Sequence, residues 1–233
     1  MHSLNDRQHQ AVKHIDTPTL VLAGAGSGKT RVITEKIAYL IREHDVKAHN
    51  IYAVTFTNKA AKEMKERVMK LLKDENSKGL NVSTFHNLGL NILRQEYQAL
   101  GYKPNFSIMD ATDSGQILKE LMHKQSIDPE VLDGVQWDIS NWKNAQVLPQ
   151  TAIEQAEDPQ QQARALLYQA YQKQLHAYNA FDFDDLIGMP VKVFSENPAI
   201  LEKWQNKVRY LLVDEYQDTN ATQYNLVKQL VGV

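Results

Sequence analysis

Cysteine is absent from all 233 residues, so no disulfide holds this chain and its composition suits a reducing compartment. No apolar run approaches the ~20 residues of a membrane-spanning helix. The start, Met1-His2-Ser3-Leu4-Asn5-Asp6-Arg7, lacks the apolar core of a signal peptide. These absences point to a cytoplasmic protein with no membrane partner. An excess of positive charge is missing too: 26 Lys and Arg stand against 28 Asp and Glu, for a net charge of −2. The chain as a whole lacks a basic footprint, so any nucleic-acid surface has to be local. Eight histidines are scattered without metal-ligand spacing and no H-E-x-x-H occurs, which leaves them as surface or packing residues. What remains, 42% hydrophobic and 23% charged residues, suits a globular chain of one or two domains.

The most informative stretch is Leu20-Val21-Leu22-Ala23-Gly24-Ala25-Gly26-Ser27-Gly28-Lys29-Thr30. It predicts a strand over Thr19–Leu22, a phosphate-binding loop and a helix start. Glycines let the backbone curl so that successive N–H groups face a polyphosphate, and the helix adds its positive end. In that loop Lys29 reaches the β- and γ-phosphates and Thr30 holds Mg²⁺. Ala23 stands where the strict G-x-x-x-x-G-K-[ST] pattern has its first glycine. The bland alternative is a Gly-rich turn that binds nothing. Context opposes it, because Ile33, Ile37, Leu40 and Ile41 then repeat as one helix face.

Upstream, Leu4–Val12 predicts a short helix with Asn5 or Asp6 as N-cap. Downstream, the β-rich run Ile51–Phe56 leads through Thr57-Asn58-Lys59 into a helix whose face is Met64, Val68, Leu71 and Leu72. Seven bases there (Lys59, Lys62, Lys65, Arg67, Lys70, Lys73, Lys78) face four acids (Glu63, Glu66, Asp74, Glu75). Such a run is usually a solvated helix face. The strand end is more telling: Phe56, Thr57 and Asn58 set an aromatic ring beside hydrogen-bonding groups, and Thr84, Phe85 and His86 repeat that pairing. Ligands of open α/β sheets bind at carboxyl ends of strands. Two aromatic-and-polar ends suggest a base-stacking track for single-stranded nucleic acid, although either phenylalanine alone suits a core.

From about Asn87 to Asn179 no β-rich run occurs, and helical segments are joined by turn signals at Gly101, Pro104, Pro129 and Pro149. The Gln-rich stretch from Gln146 to Gln174 suggests a solvated loop or linker. The segment reads as an all-helical insertion between halves of an α/β domain. Phe181–Ile187 then predicts an apolar helix ending before Pro190, whose Asp182, Asp184 and Asp185 suit capping and the helix dipole rather than a metal. Last, the apolar run Tyr210–Val213 ends in Asp214-Glu215. Beside a phosphate loop, Asp214 helps to hold Mg²⁺ and Glu215 orients or deprotonates the attacking water.

Ala23–Arg31, Thr55-Phe-Thr-Asn-Lys-Ala-Ala61, Ser83-Thr-Phe-His86 and Val213-Asp-Glu-Tyr-Gln-Asp-Thr-Asn220 together resemble the superfamily-1 DNA helicases of the UvrD/PcrA/Rep group, and its Rep branch most. The resemblance runs through essentially the whole chain, including Leu4-Asn5, Ile139–Asn144 and Phe183–Leu186. Within that group the loop's glycines fall at 24, 26 and 28, so Ala23 belongs to a family variant. The resemblance implies a nucleotide site of Gln8, which reads adenine, with Ala23, Gly24, Ala25, Gly26, Ser27, Gly28, Lys29, Thr30 and Arg31. It implies that Gln217 links the γ-phosphate to DNA binding and domain movement. Phe56, Thr57, Asn58, Thr84, Phe85 and His86 match stretches that contact single-stranded DNA, with Phe56 stacking on a base.

The fold implied is a RecA-like P-loop domain, α/β with a parallel sheet, made of residues 1–86 and 181–233 and interrupted by a helical subdomain at 87–180. The activity implied is ATP- and Mg²⁺-dependent 3′-to-5′ helicase and translocase action on single-stranded DNA and its junctions with duplex. Replication or repair proteins are the expected partners. The family continues beyond the position of Val233 into a second RecA-like domain that reaches the γ-phosphate with arginines. This stretch alone is therefore expected to bind ATP and turn it over slowly. The helicase part of a helicase-nuclease shares these motifs. A non-enzymatic, ATP-gated DNA-binding module is a third reading, which Glu215 and Gln217 oppose.

Overall fold

The computed structural model describes residues 4–72 and 77–232. Met1, His2, Ser3 and Val233, like Lys73, Asp74 and Glu75 of the charged run, lie outside the described residues. In chain order, helix α1 (Asp6–Lys13) and helix α2 (Lys29–Glu43) precede strand β1 (Ile51–Thr55), helix α3 (Asn58–Leu72) and strand β2 (Asn81–Thr84). Next come α4 (Phe85–Glu96), β3 (Ser107–Met109), α5 (Ala111–Lys124), α6 (Leu132–Asn144), α7 (Pro149–Glu154), α8 (Pro159–Ala177) and β4 (Ala180–Asp182). Then follow α9 (Asp185–Glu196), α10 (Pro198–Lys207), β5 (Tyr210–Val213) and α11 (Ala221–Val231). Two compact units result. One takes the chain up to Leu88, Glu202–Asp218 and the residues from Leu230; the other takes Gly89–Leu201 and Thr219–Gln229. Both are mixed α and β, with parallel sheets and many helices.

The first unit is built on a three-stranded parallel sheet in the order β2-β1-β5. The central strand is buried at every residue, as expected of an apolar run covered on both faces. Ile51 and Ala53 send their side chains into a cluster with Ile37, Leu40 and Ile41 of α2 and Met64, Val68 and Leu72 of α3. These are the helix faces that the spacing predicts. At ~1.5–3 kcal/mol per fully buried aliphatic side chain, this cluster is what seats both helices on the sheet.

Thr19–Leu22, expected as a strand, is not one. The stretch pairs with no strand among the described residues, and Leu20, Val21 and Leu22 are 66%, 43% and 86% exposed. An extended segment becomes a strand only where a neighbour supplies its ladder. Here the sheet ends at β5, whose four residues are all partly exposed.

In the second unit α5, α6 and α8 share a core of Leu118, Met122, Val135, Ile139, Leu167 and Tyr171. Three sequence expectations change. The segment 87–180 is not all helical, because Ser107–Met109 pairs in parallel with Ala180–Asp182. Its register carries Ile108 beside Phe181, on which the Tyr102 ring stacks at 4.0 Å. The Gln-rich stretch is not a linker but the helices α7 and α8, since glutamine is a good helix former when an apolar face such as Leu167, Tyr168 and Tyr171 anchors it. The third concerns Phe181–Ile187: its first residues are strand and turn, and α9 starts at Asp185 and runs on with Pro190 inside it.

Proline has no N–H to give the carbonyl four residues earlier, which is that of Leu186. Gly89 of α4 lies against that same carbonyl, so closely that a Cβ there would stand 1.7 Å from the Leu186 oxygen. A helix that lacks one internal bond is thereby matched to a residue with no side chain. Gly89→Ala is expected to cost about 2–3 kcal/mol, read as a lower urea midpoint; an unchanged midpoint would contradict this packing.

Candidate functional site

The three parallel strands of the first unit end at one edge of their sheet. Thr55 of β1 pairs with Thr84 of β2, and Val54 pairs with Val213 of β5. The residues that follow each strand are therefore neighbours: 56–58, 85–87 and 214–217.

The glycine loop of residues 23–28 abuts this edge. Gly26 and Gly28 take the left-handed φ values of +74° and +86°, which only glycine adopts at little cost. Gly28 is the N-cap of α2, and its carbonyl accepts from Val32 N–H at 3.1 Å. The turn is closed by Ser27, whose N–H and hydroxyl both donate to the Gly24 carbonyl, at 3.3 and 2.7 Å. Space for a Cβ is open at Gly24 and Gly26, so these positions serve close approach and turning rather than packing. Ala23, Ala25 and the two glycines are exposed, and Arg31 sits partly exposed in the first turn of α2.

Two side chains of the α2 start meet the end of β5. Lys29 Nζ lies 3.6 Å from Glu215 Oε2 and donates to the Ala23 carbonyl at 3.4 Å. Thr30 Oγ1 donates to Asp214 Oδ2 at 3.3 Å. Asp214 is 6% exposed, and its N–H continues the ladder by donating to Val54 O at 2.9 Å. Burial pushes its carboxyl above the usual carboxylate range, Glu215 adds to the rise, and the Thr30 hydroxyl, the Glu215 N–H and Lys29 oppose it. A hydroxyl and a buried carboxylate in contact are hard oxygen donors that could hold a small divalent cation. Glu215 carries a left-handed φ of +51°, rare for a residue with a long side chain. Its carboxylate accepts from the Gln217 amide, and Asp218 N–H donates to its carbonyl at 3.0 Å.

Gln8 reaches the same loop from α1. Asn5 caps that helix, with Gln8 completing a capping box. The Gln8 Nε2 also donates to the Ser27 carbonyl at 2.9 Å.

At the neighbouring strand ends the rings of Phe56 and Phe85 lie 5.5 Å apart. They differ in exposure: Phe85 is 1% exposed and Phe56 only partly covered. Thr57 and Thr84 use their hydroxyls to cap α3 and α4, accepting from Ala60 N–H at 3.1 Å and Asn87 N–H at 3.2 Å. Thr57, Asn58 and His86 are exposed, Thr84 is buried, and Asn87 Nδ2 donates to Asn58 Oδ1 at 3.1 Å, joining the two loops. Asn87 was not singled out by sequence reasoning. Its only local signal is its place one residue past the His86 of a strand-end motif.

Residues 4–233 match the UvrD/REP helicase N-terminal domain. The chain belongs to that family. It is 53% identical over 230 residues to the ATP-dependent DNA helicase Rep of Escherichia coli K12, covering 98% of this chain and 34% of the relative. It is 46% identical over 237 residues to the ATP-dependent DNA helicase PcrA of Staphylococcus aureus Mu50, covering 100% of this chain and 32% of that relative. The chain thus spans about a third of the length of these curated relatives. No helix among the described residues is long and apolar enough to cross a membrane.

The Asp182, Asp184 and Asp185 cluster belongs to the second unit and has a different use. No group of three or more His, Cys, Asp or Glu suited to a metal occurs among the described residues. Instead buried Lys143 Nζ sits 2.6 Å from Asp182 and 3.0 Å from Asp185, and the Tyr171 hydroxyl donates to Asp182 at 2.9 Å. Burial opposes the Lys143 charge, but the two carboxylates outweigh it and keep the ammonium protonated. Burial and the Asp182 charge push Asp185 up to about 7. Asn144 donates to Asp184 at 3.0 Å and accepts from Asn220 at 2.9 Å. Ile139–Asn144, noticed in the sequence only through resemblance, thus carries the counter-charge for the aspartates.

At φ +51° Glu215 occupies a backbone region that costs a residue with a long side chain free energy. Glu215→Asn, with a residue that tolerates the left-handed region, is expected to raise stability by about 0.5–1 kcal/mol. Chemical denaturation reads this directly, and a stability that stays the same or falls would contradict strain at this position.

Proposed function

We propose that this chain is the N-terminal motor portion of an ATP-dependent DNA helicase that translocates 3′ to 5′ on single-stranded DNA. The observation that carries the reading is the meeting of Lys29 and Thr30 with Glu215 and Asp214 at the end of β5. A plain glycine turn needs no such partners. A nucleotide hydrolase needs a cation for the phosphates and a carboxylate for water within one another's reach.

In this reading the N–H groups from Ala23 to Thr30 cradle the ATP phosphates, Lys29 leaves Glu215 for the β- and γ-oxygens, Gln8 meets adenine, and Arg31 lies beside the nucleotide. Thr30 and Asp214 are the oxygen donors that fit Mg²⁺, which when bound neutralises charge on the β- and γ-phosphates. Glu215 orients a water and takes its proton as the oxygen attacks the γ-phosphorus, the bond to the β-γ bridging oxygen breaks, and ADP and phosphate leave. Gln217 reports the γ-phosphate, a role that its bond to Glu215 supports. Phe56, with Thr57, Asn58 and His86, forms the DNA-facing lip. The part-exposed Phe56 ring is the stacking surface, with the buried Phe85 behind it and Thr84 as a cap.

We likewise propose that residues 1–86 and 181–233 belong to one RecA-like domain, with 87–180 inserted. A second RecA-like domain of the same protein completes the cleft, and single-stranded DNA, its duplex junctions and replication or repair proteins are the partners. A transition-state cation supplied across such a cleft is worth ~10³–10⁵ in rate in related phosphoryl transfers. A steady-state ATPase assay of the 233-residue chain, with and without oligo-dT, is expected to show turnover well below the ~1–10³ s⁻¹ of typical enzymes. DNA-stimulated turnover inside that range would overturn the dependence on a second domain.

A further inference from the structure

Helix α1 is fastened at both ends, and one of the fastenings has no part in the chemistry described above. At its C-terminal end, Lys36 of α2 donates from Nζ to the Ala11 carbonyl at 3.1 Å and to the His14 carbonyl. Ala11 lies in the last turn of α1 and His14 is its C-cap. The last carbonyls of a helix have no partner of their own and carry the negative end of its dipole, so an ammonium there answers both needs. Val12, between the two bonded residues, is buried, and Ile15 just beyond packs on the core that α2 shares with the sheet.

Lys36 is an unusual choice for a packing contact. Its ammonium is partly buried, burial lowers its pKa, and no carboxylate pairs with it among the described residues. Desolvating a charge without a counter-charge is costly, and a methionine would fill the same space. What the charge adds is direction, because two of its three donors fix one helix end on another helix.

The other end of α1 shows what is being directed. Gln8 Oε1 accepts from Asn5 N–H at 2.9 Å and Nε2 donates to Ser27 O at 2.9 Å. A Cβ on Gly28 would stand 3.0 Å from that same Nε2, so the amide is seated against the phosphate loop. An amide has two acceptor sites and two donor hydrogens. One of each remains on Gln8, the pair that a purine's amino group and adjacent ring nitrogen would take. Lys36 stands seven residues after Lys29 on the same stripe of α2, two turns and ~10.5 Å along. One helix therefore carries the phosphate lysine at its start and the anchor of the base-reading helix two turns later.

We propose that Lys36 is a positioning residue for base recognition: by holding the Ala11 and His14 carbonyls it sets α1 so that Gln8 lies against Ser27 beside the phosphate loop. The inference rests on the nucleotide reading above. Its test is calorimetric titration of the 233-residue chain with ATP and with inorganic tripolyphosphate, each with Mg²⁺, for the unsubstituted chain, Lys36→Met, Lys36→Arg, Gln8→Ala and the Gln8→Ala/Lys36→Met pair. Lys36→Met is expected to weaken ATP about tenfold while tripolyphosphate binds as before, and Lys36→Arg to restore ATP. In the Gln8→Ala background, Lys36→Met should add no further loss. An equal loss for both ligands, no loss for ATP, or a full additional loss on top of Gln8→Ala would overturn the role of Lys36. Lys36→Gln, which keeps a donor but not its reach, serves with the same outcomes if Lys36→Met does not fold. An unsubstituted chain that binds neither ligand would instead overturn the nucleotide reading itself.

Discussion

The backbone ladder between Ile51–Thr55 and Tyr210–Val213 is the constraint on which the rest of this site depends. Parallel pairing of Val54 with Val213, extended by the bond from Asp214 N–H to Val54 O, fixes where the chain leaves β5. It therefore fixes where a carboxylate can meet Thr30. The same register, carried across to β2 through Thr55 and Thr84, places the Phe56 and Phe85 loops beside it. Parallel strands necessarily end at one edge. The carboxylates that follow β5 and the aromatic loops that follow β1 and β2 are thus adjacent because of topology, before any side chain contributes.

The side chains at that edge are held by opposed demands. Burial raises the Asp214 carboxyl and the neighbouring Glu215 charge raises it further, while the Thr30 hydroxyl and Lys29 favour the anion. A divalent cation between Thr30 and Asp214 would shift that contest toward the carboxylate. Glu215 is held in a strained backbone region and Lys29 is shared between it and the Ala23 carbonyl. Neither contact is strong, since a partly exposed pair at this distance is worth at most ~1 kcal/mol. Weakness is what the proposed role requires, in which Lys29 exchanges Glu215 for phosphate oxygens. The buried Lys143 pairs of the second unit, by contrast, are short and enclosed, and removing one partner of such a pair costs ~3–5 kcal/mol.

What could be read from the residues was whatever depends on short-range spacing. The apolar faces of α2 and α3, the Asn5 cap, the glycine turn and the carboxylates after Val213 each follow from neighbours within a few positions. Apart from the Gln-rich helices, the misreadings involve a distant partner. Leu20-Val21-Leu22 has strand composition, but a strand is a property of a pair, and here no neighbour supplies the ladder. Ser107–Met109 is too short to announce itself and is a strand only because Ala180–Asp182 lies beside it. Pro190 would end a helix on propensity alone, yet α9 runs through it, and the Leu186 carbonyl to which its missing N–H cannot donate lies against Gly89. Asn87 and Lys36 carried no motif at all; each matters through a bond to a residue at least 22 positions away.

In the proposed function Lys29 and its loop bind the phosphates of ATP at the end of β5. Equilibrium titration with a fluorescent ATP analogue in Mg²⁺, for the unsubstituted chain and for Lys29→Ala with its circular dichroism and melting temperature as the check on folding, addresses it directly. Saturable binding to the unsubstituted chain is expected, and its loss in Lys29→Ala with the fold unchanged. An identical binding curve for a folded Lys29→Ala chain would contradict it.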